Sequence, residues 1–256
     1  MLTNFEIIET YLETGTIPPH PIFQLIQEGC QPTVDQALPL DILRELYKET
    51  KKNLEPFKPL NEELWIRIFG PTAIPETVTV WLIVGAPAGC EAVVRIDESG
   101  HRNLIVDLSQ ICTYSNLVAR LLYIVFDFLT HELAHVMIGQ KYRYQSTMSR
   151  EQLLRQLAFD EGIAHFLSFE EDVLGVDWDS QLMQDRKRAA FEKFHYFLDH
   201  AKELTFQDLK RANTGAFWDK FASIAGMFAV VEYCQNEGNL EKLLSDGPKF
   251  LTEFIT

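Results

Sequence analysis

Residues 116–138, NLVARLLYIVFDFLTHELAHVMI, hold good helix formers and many apolar side chains, with no proline or glycine among them. They predict one continuous helix, which Ser115 or Thr113 can cap at its start and Gly139 can close. At about 1.5 Å per residue it runs for roughly 35 Å. It is apolar nearly all round, so it belongs in the interior and the rest of the chain must be arranged about it. Its polar exceptions cluster at Asp127, His131, Glu132 and His135, which fall on or near one face. Polar groups on a buried helix need partners. A plain core helix would not group its charges in this way.

Within that face lies His131-Glu132-Leu133-Ala134-His135. Two histidines four apart sit one turn above the other on the same side of a helix. Both imidazoles can grip one zinc ion, with Glu132 beside them and aimed at a water the metal activates.

A third ligand is expected from a second helix. Ser149 and Gln152 read as a capping box opening SREQLLRQLAFDEGIAHFLSFEE. Leu153, Leu157, Ile163, Phe166 and Leu167 give this helix apolar positions suited to packing. Residues 140–148 make a connection short enough for an antiparallel helix pair. Glu161 stands twelve residues after the cap and twenty-six beyond His135, a depth comparable with that of the histidines. Its carboxylate can complete a His, His, Glu set and leave a fourth position open.

His-Glu-Leu-Ala-His followed by Asp-Glu-Gly-Ile-Ala-His-Phe resembles the gluzincin branch of the zincin metallopeptidases, in which a glutamate on a second helix is the third ligand. The thermolysin-like and aminopeptidase N-like enzymes share that arrangement, the latter with a comparable Asn-Glu-Gly-Phe-Ala segment. The resemblance covers about residues 76–256, with its specific motifs at 131–135 and 160–166. It implies His131, His135 and Glu161 as zinc ligands, Glu132 as general base, and hydrolysis of peptide bonds. The longer metzincin pattern fails, because Ile138 stands where its glycine belongs and no third histidine follows. A Gly-x-Met-Glu-Asn exopeptidase signature is lacking, and the gap to Glu161 is longer than usual, so the resemblance is to a divergent member.

Other residues of the same stretches suit supporting roles. Asp160 points about 100° away from Glu161 on a helix and can hold a histidine by a hydrogen bond, as can Asp127, one turn before His131. His165, one turn after Glu161, faces the right side or simply lines the cleft. In the related enzymes a Tyr or His from a later helix stabilises the oxyanion; His195, Tyr196 and Tyr233 are the candidates here.

Upstream, residues 78–85, 91–96 and 103–108 are rich in β-branched and apolar side chains and predict strands, with turns at Ala86-Pro87-Ala88-Gly89 and Asp97-Glu98-Ser99-Gly100. A small sheet leading into the metal helix also resembles the zincin plan, where an edge strand commonly pairs with extended substrate. Residues 1–75 read as helices broken by proline, a helical segment packed on a zincin-like domain spanning 76–256. Two more long helices are expected at 181–204 and 213–238. The fold class is therefore α+β with helices dominant.

A net charge of −14 and the lack of a basic stripe argue against nucleic acid. The opening MLTNFEIIETYLETG has neither the basic start nor the apolar run of a signal peptide. The charged face of helix 116–138 argues against a membrane span. Cys30, Cys90, Cys112 and Cys234 are scattered, as expected of reduced thiols in a cytoplasmic protein. The expectation is a cytoplasmic zinc peptidase acting on peptide or protein. The alternatives are a zincin-fold protein that binds zinc or a partner without hydrolysis, and a helical scaffold with an accidental motif.

Overall fold

A computed structural model describes residues 1–71, 78–236 and 238–255. The expected domain boundary at 75/76 and position 237 of the last predicted helix lie outside the described residues. The elements run β1 (Leu2–Asn4), α1 (Glu6–Thr14), α2 (Ile22–Ile26), α3 (Leu40–Leu54), α4 (Glu62–Phe69), β2 (Val78–Ile83), β3 (Ala92–Ile96), β4 (Arg102–Asp107), α5 (Leu108–Ile111) and α6 (Val118–Ile138). Then follow α7 (Arg150–Ser168), α8 (Gln181–Asp199), α9 (Phe206–Arg211), α10 (Phe221–Gln235), α11 (Leu240–Asp246) and α12 (Leu251–Phe254). The fold is helix-dominated α+β, with a small mixed sheet ahead of the helix that carries His131 and His135. The chain forms two compact units, one of Met1–Pro59 with Ile74–Val136, the other of Leu60–Ala73 with Met137–Thr256.

In the first unit the four strands lie in the order β1-β2-β4-β3. β2 is parallel to β1 and β4, while β3 runs antiparallel to β4 with Val94 opposite Leu104. β1 lies where the sequence reads only helices. It is three residues long and pairs with a strand about seventy-five positions away (Leu2 opposite Thr79), so no local pattern announces it. Ile7, Ile22, Phe23 and Ile26 from α1 and α2 pack with Ile83 and Ile105 of the sheet in one apolar core.

The predicted strands end slightly early, for local reasons. β2 stops before Gly85, whose φ of +93° favours glycine, and a Cβ there would lie 2.6 Å from Ile17 Cδ1. β4 gives way to α5 because buried Asp107 caps it, accepting from the Ser109 and Gln110 N–H groups at 2.8 and 3.1 Å.

α6 buries Leu121, Val125, Leu129 and Leu133, one residue per turn. By length and composition alone it could cross a membrane. Ser115 Oγ accepts the Leu117 N–H at 3.1 Å just ahead of it.

In the second unit α7 opens with the capping box expected of Ser149 and Gln152: the Gln152 N–H donates to Ser149 Oγ at 3.2 Å, and Gln152 Oε1 accepts the Ser149 N–H at 2.8 Å. α10 is buried all round from Phe221 to Val231. It crosses α7 at two glycines: a Cβ on Gly162 would lie 2.6 Å from Gly226 Cα, and a Cβ on Gly226 would collide with the Ala158 carbonyl oxygen. Backbone therefore lies on backbone beside Glu161.

Candidate metal centre

His131 and His135 sit one turn apart on α6, both half-buried, and the 21-residue helix holds them on one face. Their Nε2 atoms are 3.1 Å apart, with the rings nearly perpendicular at 84°. Two nitrogens on one tetrahedral ion, each bonded at about 2.0–2.1 Å, lie roughly 3.3 Å apart. The pair is thus within a few tenths of an ångström of the spacing one ion would set.

Glu161 lies on α7, where its Oε1 accepts from Asn213 Nδ2 at 2.5 Å and its Oε2 faces His165 Nε2 at 3.8 Å. Only 13% of the Glu161 side chain and 7% of the His165 side chain remain exposed, so the carboxylate depends on protein partners for what water would otherwise give it. One ligand atom from each of His131, His135 and Glu161 lies within 4.8 Å of the others. This is a group that can hold a metal ion. Two imidazoles and one carboxylate are the donor set of a zinc site with an open position.

Glu132 projects from α6 next to the histidines, and its Oε2 accepts the backbone N–H of Val94 at 2.9 Å. Val94 belongs to β3, at one edge of the sheet. The Val94 carbonyl is met at 3.0 Å by the guanidinium of neighbouring Arg95.

The remaining expected residues fall as follows. Asp160 is buried, and the Tyr144 hydroxyl hydrogen-bonds to it. Burial, the charges of Asp160 and Glu161, and that bond all push the Tyr144 hydroxyl above its ordinary pKa. Tyr144 as a residue is still about half exposed, at 49%. Asp127 is half-buried on α6. His165 is buried with its ring edge-on to Phe217, centroids 5.1 Å apart, and lines the surroundings of Glu161.

Of the oxyanion candidates, Tyr196 is exposed with its ring tilted against His200 at 4.4 Å. The Tyr233 hydroxyl donates to the Asn239 carbonyl at 3.1 Å. His195 is half-buried on α8. Four participants had no place in the sequence reading: Val94, Tyr144, Asn213 and Ser223. Only Tyr144 carried a usable signal, as a tyrosine in the short connection between the two helices that bear the candidate ligands.

Comparison with family models, curated proteins and solved structures gave no match. What stands is the grouping of His131, His135 and Glu161, which can hold a metal ion.

Proposed function

We propose that this chain is a zinc-dependent hydrolase of peptide bonds, of gluzincin type, with His131, His135 and Glu161 as ligands and Glu132 as general base. The observation that carries the reading is the convergence of these three ligand atoms within 4.8 Å, next to a glutamate in a His-Glu-x-x-His helix. Zinc, when bound, supplies a Lewis acid for the scissile carbonyl and lowers the pKa of water. Glu132 takes the proton of the attacking water and returns it to the leaving amine.

The proposed substrate is a peptide or protein, not nucleic acid, because a chain of net charge −14 repels phosphate. We read α6 as a core helix and not a membrane span, since Asp127, His131, Glu132 and His135 occupy it. The free thiols Cys30, Cys90, Cys112 and Cys234 support a reducing, cytoplasmic setting.

A second reading is a protein that binds zinc or a partner without hydrolysis. It is favoured by the oxyanion candidates, because the Tyr233 hydroxyl is committed to Asn239 and the Tyr196 ring to His200. Digestion of a peptide library by wild type, chelator-treated protein and Glu132→Gln separates the two. Cleavage by wild type alone supports the hydrolase. Equal cleavage by all three removes it, and zinc binding without any cleavage favours the second reading.

A further inference from the structure

Glu161 is held by a relay that starts on α10. Ser223 is fully buried in the first turn of α10, and its Oγ donates to Asn213 Oδ1 at 2.5 Å. The Asn213 amide in turn donates from Nδ2 to Glu161 Oε1, again at 2.5 Å. An ionised carboxylate only accepts, so the nitrogen of the Asn213 amide must face Glu161 and its oxygen must face Ser223. Ser223 then has to be the donor. Every member thus has one orientation, and the hydroxyl of Ser223 selects the face that Asn213 presents.

The support is anchored at both ends. Asn213 follows α9 in a loop pinned to the start of α10, where the Ala222 N–H donates to the Ala212 carbonyl at 3.1 Å. Ser223 lies three residues before Gly226, so both fall on one face of α10. Gly226 meets α7 at Gly162, the residue after Glu161. The same face of α10 therefore fixes the backbone at Glu161 through the glycine crossing and the carboxylate through Ser223 and Asn213.

We infer that Asn213, oriented by Ser223, is a positioning residue that sets the plane of the Glu161 carboxylate for metal binding. The inference rests on the proposed metal site, and its chemistry is that of an outer partner to a ligand. Loss of such a partner typically costs about 10- to 100-fold in metal affinity.

The test is zinc affinity by competition with a chromogenic chelator, measured on wild type, Asn213→Ala, Ser223→Ala, Glu161→Ala and Glu161→Ala/Asn213→Ala. Far-UV circular dichroism and thermal unfolding of the metal-free proteins identify any variant that fails to fold. Asn213→Ala should weaken zinc by about 10-fold or more, and Ser223→Ala should weaken it less but in the same direction. In the Glu161→Ala background, removing Asn213 should change nothing further, because Asn213 acts only through that carboxylate.

Unchanged affinity in both folded Asn213→Ala and folded Ser223→Ala, with Glu161→Ala still weakened, overturns the relay and leaves the metal site standing. An equal loss from Asn213→Ala with and without Glu161 also overturns it, since the effect would then be structural. Should Asn213→Ala not fold, Ser223→Ala measured with and without Glu161→Ala decides between these outcomes. No zinc bound by wild type overturns the metal site itself, and the relay with it.

Discussion

The backbone N–H of Val94 donates to Glu132 Oε2 at 2.9 Å, joining the edge strand β3 to the residue proposed to move protons. A carboxylate that accepts such a bond is held in place against the strand. The same bond satisfies a backbone donor that the edge of the sheet would otherwise leave open.

This contact predicts that two variants of Glu132 will differ in stability. Glu132→Gln keeps a side-chain oxygen for Val94, so the metal-free protein should stay within about 0.5 kcal/mol of wild type. Glu132→Ala removes the acceptor and should cost about 1–2 kcal/mol. Both should lose hydrolysis, by about 10²–10⁴-fold where the base alone is removed. Urea unfolding in the presence of chelator reads the first effect. Equal midpoints for the two variants would show that the Val94 bond adds nothing.

Zinc should be stoichiometric. Three protein ligands make a catalytic site, so purified protein should carry about one zinc per chain by elemental analysis. His135→Ala and Glu161→Ala should each bind it far more weakly and so lose it on purification. Binding only to the folded state stabilises it by about 2.7 kcal/mol at a hundredfold excess over Kd. Chelation should therefore lower the unfolding temperature of wild type and leave both ligand variants unmoved. Zinc retained in both variants would remove these residues from the ligand set.

What the sequence made legible was what repeats or caps locally. The helix carrying His131 and His135 follows from an unbroken apolar run, and α7 from the Ser149–Gln152 capping box. β2, β3 and β4 follow from β-branched runs between turns. β1 was hidden because three residues cannot show a period and its partner β2 lies far along the chain. Asn213 was hidden because Asn-Thr-Gly after a short helix reads as an ordinary turn, and nothing local says that its amide reaches Glu161. Val94 acts through its backbone N–H, which no side chain announces. Gly162 stood in the quoted motif, but its contact with Gly226 is a pairing of two helices some sixty residues apart in sequence.

Acid should loosen the turn between β3 and β4. The hydroxyl and N–H of Ser99 donate to Asp97 at 2.6 and 3.0 Å, as do the His101 N–H at 3.0 Å and the Asn103 amide at 3.2 Å. These bonds, the Ser99 hydroxyl foremost, hold the carboxyl down at about 2. The unfolded value is about 3.9. Because the folded value is the lower one, the stability this turn contributes is complete above about pH 4 and is lost as pH falls toward 2. Asp97→Asn should be less stable than wild type at pH 6, with the gap closing between pH 4 and 2. A gap that stays constant across that window in chemical denaturation would show that the Asp97 charge plays no part.

The crossing of α7 and α10 gives the last prediction, and its sign runs against helix propensity. Alanine is favoured over glycine inside a helix by about 1 kcal/mol, so Gly162→Ala and Gly226→Ala should stabilise if the helices had room. They do not have it: the added Cβ meets backbone in both cases, Gly226 Cα at 2.6 Å and Met227 N at 2.8 Å for Gly162, and the Ala158 carbonyl oxygen for Gly226. Backbone has no rotamer to change, so the helices must part, and overpacking of this kind costs about 1–3 kcal/mol or more. Both variants should unfold at lower urea than wild type with chelator present. Gly162→Ala should also bind zinc more weakly, since Glu161 is the adjacent residue and moves with it. A variant as stable as wild type, with its zinc affinity intact, would show that the crossing can open without disturbing Glu161, and that the position of this carboxylate is set elsewhere on α7.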